Sequence, residues 1–188
     1  MRLDFIRPLI KYLPEVKLPK KHIPFKEKLI WTSVILVLFF VMGVIAPAGV
    51  LKEDIPPQFQ LMQIIFASQI GSIISVGIGP IVTASIVLQL LVGAKMIDLD
   101  MTKTEDKALF QGSQKILTVL IAFFEAAAIV IGFHLGSTLL GEGWGIQNPM
   151  VQFIIFQIAV GSILLMYLDE IVSKWGIGSG IGLFIVGG

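Results

Sequence analysis

The sequence predicts an all-α, polytopic membrane helix bundle, and three observations carry that prediction. Of the 188 residues, 55% are hydrophobic and only 14% are charged, with a mean hydropathy of +0.90, whereas soluble domains carry about 25% charged residues. Uncharged stretches recur at a length that matches a bilayer. Lys and Arg collect on one side of the resulting topology.

The first 28 residues are basic. In LDFIRPLIKYL, Leu3, Ile6, Ile10 and Leu13 fall at helical spacing between Arg7 and Lys11. This is the pattern of an amphipathic helix lying on a cytoplasmic membrane face. Pro8 either kinks it or marks its start. Residues 29–46 form the first span. The long lead and long apolar core do not fit a cleavable signal peptide, despite a faint cleavage-like Ala46-Pro47-Ala48.

Residues 55–94 contain no Asp, Glu, Lys, Arg or His. As one helix they would run about 60 Å, twice the ~30 Å hydrocarbon core. Charge decides how they cross. With a single crossing, eight cations in 1–28, four in 95–115 and Lys174 share one side, and only Lys52 lies opposite. With two crossings the split falls to eight and six. The positive-inside rule selects one crossing and a cytoplasmic N-terminus. About 20 residues then enter the membrane without traversing it. Pro56-Pro57 suits a helix start, and Gln58, Gln60, Gln63 and Gln69 are poorly matched to lipid. Gly71, Gly77, Gly79 and Pro80 break the pattern. The expectation is a half-helix over 57–70, a bend over 71–77 and a crossing span over 78–94. A kinked structural span with a long outer loop is the plainer alternative. Non-helical backbone at membrane depth survives only when buried in protein or lining a wet cavity, so a re-entrant element points to a pathway.

A Lys-bearing cytoplasmic loop (95–115) leads to a third span at 116–135, interrupted by Glu125. A fourth follows at 150–168. Residues 177–188 start a fifth, and the sequence stops inside it, as a piece of a longer protein would. Trp31, Tyr167 and Trp175 fall at inner boundaries and Trp144 near the outer one.

The residues offer no enzymatic chemistry. There is no cysteine, and His22 and His134 lie far apart, so neither a disulfide framework nor a compact metal site is indicated. No catalytic constellation, metal or cofactor is expected. A net charge of +1 suggests no nucleic-acid role. GIGSGIG (176–182) lacks the preceding strand that a dinucleotide fingerprint requires. Its glycines read as close helix packing or backbone flexibility. Glu125, at mid-span, costs roughly 2.5–3.5 kcal/mol to insert. It is either a gate or pathway residue or one end of a buried interhelical hydrogen bond, and Thr83 is the candidate partner. Ile78 and Val82, and likewise Ile177 and Ile181, stand four apart among glycines. Such pairs can form a constriction that dewets, although the pattern alone reads more readily as packing or lipid contact.

Longer motifs add a resemblance. YLDEIVSKWGIGSGIGLFI (167–185) resembles the turn into the fifth span of the SecY family, the main subunit of the Sec protein translocase. GIGPIVTASIVLQLLVGAKMI (77–97) resembles its second span, ALFQGSQKIL (108–117) the approach to its third, and KEKLIWT (26–32) the start of its first. The similarity runs along nearly the whole chain and is archaeal in type. It implies the N-terminal five-span half of a ten-span inverted-repeat channel. It further implies that 57–70 is a plug, here Gln60, Leu61, Met62, Ile64, Ile65, Phe66, Ser68, Gln69 and Ile70. Many members carry a basic residue where this chain has Gln69, which leaves open any charge role there. Ile78, Val82, Ile177 and Ile181 would belong to a pore ring, and Thr83 and Glu125 to a polar cluster at the lateral gate. The implied activity is passage of secretory polypeptides across the cytoplasmic membrane and lateral release of membrane segments. The implied partners are SecE (gamma) and beta subunits, the second half of the channel, a ribosome with its nascent chain and signal sequence, and lipid.

Two other functions use similar parts. A solute carrier half also has broken helices, but Glu125 is the only charge in any span, which disfavours an anionic substrate and leaves a proton- or cation-coupled carrier open. A membrane-assembly subunit without a pore is the third reading.

Overall fold

The computed structural model describes residues 13–17, 19, 23–51, 63–64, 67–97 and 99–187. Most of the expected N-terminal interfacial helix, and Gln60, Leu61, Met62, Ile65 and Phe66 of the expected plug, lie outside the described residues. Among the described residues all regular structure is helical: α1 (Phe25–Val44), α2 (Gly79–Gly93), α3 (Thr104–Gly132), the short α4 (Ser137–Leu140), α5 (Pro149–Trp175) and α6 (Gly180–Gly187). By length and composition α1, α3 and α5 are each able to cross a membrane.

Helix ends differ from the hydropathy boundaries for local reasons. α1 stops at Val44 rather than 46, because Pro47 disfavours helical backbone at Ala46. α3 starts twelve residues before the predicted 116, so residues 104–115, expected in the loop, are its first three turns. Glu105 and Asp106 suit the electropositive end there. Hydropathy detects the part of a helix in lipid, not the part that projects beyond it. α5 likewise runs to Trp175, two turns past the predicted 168. It opens with Pro149 behind an N-cap in which Asn148 Oδ1 accepts the Met150 amide at 2.9 Å. α6 begins at Gly180 rather than 177, because Gly176–Ser179 form a non-helical turn with Gly178 at φ +79°.

α5 is the hub, packing against α3, α1 and α6, while α2 packs on α3. Two apolar clusters result. Ile35 and Phe39 of α1, Leu165, Met166 and Val172 of α5 and Phe184 of α6 form one, in which Phe39 and Phe184 stack at 4.9 Å. Ala126 and Val130 of α3 with Val151, Ile154 and Ile158 of α5 form the other.

Residues 67–78 run between these clusters without helical structure. Ile74 and Ile78 belong to the first cluster and Val76 to the second. The segment begins where the preceding helical turn closes. Ser68 N donates to Gln63 O at 2.9 Å and Ala67 N to Ile64 O at 3.3 Å, with Ala67 at φ +45°. That is a Schellman closure with alanine in the left-handed position usually given to glycine. The half-helix expected over 57–70 therefore ends before Ala67. Ser68, Gln69 and Ile70 are non-helical.

The buried backbone of this segment is satisfied piece by piece. Gly71 N donates to Ser75 Oγ at 3.0 Å and Ile74 N to Ser72 Oγ at 3.2 Å. Ile73 N donates to Ile45 O at 2.9 Å, and Ser162 Oγ of α5 donates to Gly77 O at 3.1 Å. Gly161 beside it allows the approach, because a methyl there would overlap the Ile73 carbonyl oxygen. Gly161→Ala is expected to lower the melting stability of the assembled protein in detergent by roughly 1–3 kcal/mol, the usual cost of overpacking. Gly132→Ala, with nothing within 4 Å of its added methyl, is expected to stay within about 0.5 kcal/mol. Equal melting of the two variants, followed by circular dichroism, would reject the docking role of Gly161.

Candidate functional site

Ile78 caps the start of α2 and is 2% exposed. The Val82 amide donates to Ile78 O at 3.1 Å, so these two residues do share one helical face. Val82 and Ile181 pack, half-buried, on the apolar cluster that contains Ile78. The structure thus brings three of the four candidate ring residues to one place. Ile177 differs. It lies in the turn before α6 and is 38% exposed. The four-residue spacing of Ile177 and Ile181 is therefore not a shared helix face, because the glycine turn intervenes.

The polar pair is also assembled. Thr83 Oγ1 lies 3.4 Å from Glu125 Oε1, a long hydrogen bond in which the hydroxyl donates. The carboxylate rests on the first turn of α2, directly against Gly79. A methyl on Gly79 would fall 2.6 Å from Glu125 Oε2. The first turn of a helix is electropositive, which favours an acidic group there. Glu125 also helps line a cavity of about 180 Å³ together with Ser68, Ile70, Ser75, Val76 and Phe133. The described end of the predicted plug and the predicted gate acid therefore face the same space. Gln69 points elsewhere. Its side-chain amide lies against α1, 2.8 Å from where a methyl on Gly43 would stand.

A second cavity, of about 360 Å³, has Ile81 and Met166 of the first apolar cluster in its wall and Lys115, Asp169, Glu170 and Lys174 around it. Here lies a feature that sequence reasoning missed. Glu170 is held between two lysines: Lys115 Nζ is 2.9 Å from Oε1 and 2.8 Å from Oε2, and Lys174 Nζ is 2.8 Å from Oε1. These side chains are only 13–14% exposed. The same lysines hold the segment before α1: Lys115 reaches Pro14 O at 3.3 Å and Lys174 reaches Glu15 Oε1 at 3.4 Å. Trp175 Nε1 adds a bond to Lys17 O at 3.0 Å. The Glu170–Lys174 spacing of four on one helix was a visible signal, but the role of Lys115, 55 positions away, was not. Among the described residues, no group of three or more His, Asp or Glu is placed to hold a metal ion.

The fold and site define a class: a polytopic, all-helical membrane protein built around a buried non-helical segment, with an apolar cluster at its start and a polar pair beside it. The SecY family model matches residues 72–188, more than half of the chain. The protein translocase subunit SecY of Methanocaldococcus jannaschii is 52% identical over 185 residues, covering 96% of this chain and 39% of that protein. Two solved structures are similar as well. Sec61 in the canine ribosome-channel complex from the endoplasmic reticulum aligns with TM-score 0.80 and 49% identity, over 97% of this chain and 40% of that one. A SecY structure described as showing that the plug domain stabilises the closed state and maintains a membrane seal aligns with TM-score 0.76 and 48% identity, with the same coverage. The chain belongs to the SecY family. It spans about two fifths of the length of these relatives.

Glu170→Ala would leave both lysines without their shared carboxylate. It is expected to destabilise the assembled protein by roughly 1–3 kcal/mol, the cost of stranding buried polar groups. It should also expose the segment around 13–17 to protease earlier than in the native protein. Unchanged proteolysis at that segment would show that the triad does not hold it.

Proposed function

We propose that this chain is the N-terminal half of a protein-conducting channel in the cytoplasmic membrane, with its N-terminus cytoplasmic. Completed by a second half of five spans, it passes secretory polypeptides across the bilayer and releases membrane segments sideways into lipid. The observation that carries this reading is the buried non-helical segment 67–78. It delivers Ile78 and Val82 to a buried apolar cluster on which Ile181 also packs. Family membership supports it, since the similar proteins are described as translocase subunits and channels.

Ile78, Val82, Ile177 and Ile181 then supply part of the seal. An apolar ring grips no particular side chain of a passing polypeptide, yet excludes ions through the cost of wetting its walls. The exposed face of Ile177 is the surface a second half would meet. Residues 57–70 act as the plug. The shared cavity of Ser68, Ile70 and Glu125 is where displacement of the plug and opening of the gate would be felt together. Thr83 and Glu125 sit on neighbouring helices, α2 and α3, so parting those helices breaks their hydrogen bond. The channel is passive, and a ribosome or motor drives the chain. SecE (gamma) and beta subunits complete the membrane complex, and the description of one relative as part of a ribosome-channel complex supports the ribosome as a partner.

Ile78→Ser with Val82→Ser is expected to make the full-length channel conduct ions at rest when reconstituted in planar bilayers. A resting conductance equal to the native one would refute the ring. Glu125→Ala is expected to change the hydrophobicity a signal sequence needs for insertion, because the closed gate loses its interhelical bond. Identical insertion thresholds across a graded set of signals would remove Glu125 from the gate.

A further inference from the structure

The turn between α5 and α6 carries Ile177, the first turn of α6 carries Ile181, and a side chain from another element holds each. The Ile177 amide donates to Thr32 Oγ1 of α1 at 3.0 Å. The Ile181 amide donates to Asp169 Oδ1 of α5 at 2.9 Å. Thr32 is itself oriented, since its hydroxyl donates to Lys28 O at 2.8 Å and leaves its lone pairs for Ile177. Ile181 sits in the first turn of α6, where an amide has no partner within the helix, so an acceptor must come from outside. A carboxylate suits that electropositive end.

The glycines explain how these contacts are reached. A methyl on Gly176 would lie 2.9 Å from Thr32 Oγ1 and 2.8 Å from Val172 O. A methyl on Gly180 would lie 2.6 Å from both Cα and Oδ1 of Asp169. Gly178, at φ +79°, turns the chain between them. Gly182 has nothing within 4 Å. The motif GIGSGIG thus places its first and third glycines against Thr32 and Asp169, and sets an isoleucine directly after each.

We propose that Thr32 and Asp169 are positioning residues for the constriction. By anchoring the amides of Ile177 and Ile181 they fix where those side chains stand relative to Ile78 and Val82. A glycine-rich turn has wide backbone freedom, while a dewetted seal requires a narrow aperture of fixed width. The two anchors remove that freedom at the two residues where it matters. The inference rests on the assignment of Ile177 and Ile181 to the ring, so its test carries Ile181→Ser as a reference.

The test measures resting ion conductance of the full channel in planar bilayers, at equal amounts of assembled channel. Asp169→Ala and Thr32→Val are expected to raise it by the same order as Ile181→Ser. Asp169→Asn and Thr32→Ser keep an acceptor oxygen and are expected to stay near the native value, a rescue that a loss of general stability would not produce. Gly180→Ala, which pushes Asp169 off the turn without removing its oxygen, is expected to leak as well and decides the matter should Asp169→Ala fail to assemble. Native conductance in the Asp169→Ala, Thr32→Val and Gly180→Ala variants, beside a leaking Ile181→Ser, overturns the anchoring role while leaving the ring intact. A leak in Asp169→Asn equal to that in Asp169→Ala also overturns it. A silent Ile181→Ser removes the ring, and the anchoring role falls with it.

Discussion

Peptide groups at the centre of a membrane protein have no water to bond, and this chain places a non-helical segment there. Everything else in the bundle is arranged around meeting that constraint. Ser72 and Ser75 turn their hydroxyls onto neighbouring backbone amides, Ile45 lends its carbonyl to Ile73, and Ser162 reaches Gly77 from α5. A buried donor left without a partner costs several kcal/mol in hydrocarbon. The segment is therefore stable only while α1 and α5 hold their places. The same contacts join the end of α1, the predicted plug region and the start of α2 into one unit.

That unit fixes the site. Because 67–78 is pinned to α5, the start of α2 is pinned too, and with it Ile78, Gly79 and Thr83. Gly79 then admits the Glu125 carboxylate from α3. Ile177 and Ile181 are held in a similar way, by side chains accepting their backbone amides: Thr32 for Ile177 and Asp169 for Ile181. Around the same cavity as Asp169, the Lys115–Glu170–Lys174 triad ties α3, α5 and the segment before α1 together. Such triads contribute little when solvated, but here the side chains are largely covered, so breaking one member strands the others.

The membrane character of the chain was fully legible, because hydropathy and charge asymmetry are one-dimensional properties. Counting lysines gives the expectation that residues 55–94 cross once. The existence of α1, α3 and α5 followed from uncharged stretches, but their ends did not. Twelve residues of α3 and seven of α5 extend beyond the apolar part, and a helix outside lipid carries no hydropathy signal. The half-helix was drawn too long at Ala67 because nothing in its sequence announces left-handed backbone at an alanine. Ile177 and Ile181 were paired by a helical spacing that the glycine turn invalidates.

The sequence by itself determined that this protein is a membrane helix bundle, with an uncharged stretch too long for one span and an acid, Glu125, in the middle of another, and its motifs marked the SecY family. Those conclusions depend on composition, order and spacing, which survive without coordinates. Only the tertiary structure decided which hydroxyl answers which amide, that Ser68 and Glu125 share a cavity, and that Thr32 and Asp169 stand behind the two isoleucines of the last turn. These are contacts between residues as many as 145 positions apart. No local pattern encodes such pairings, because they arise from how helices pack after each has formed.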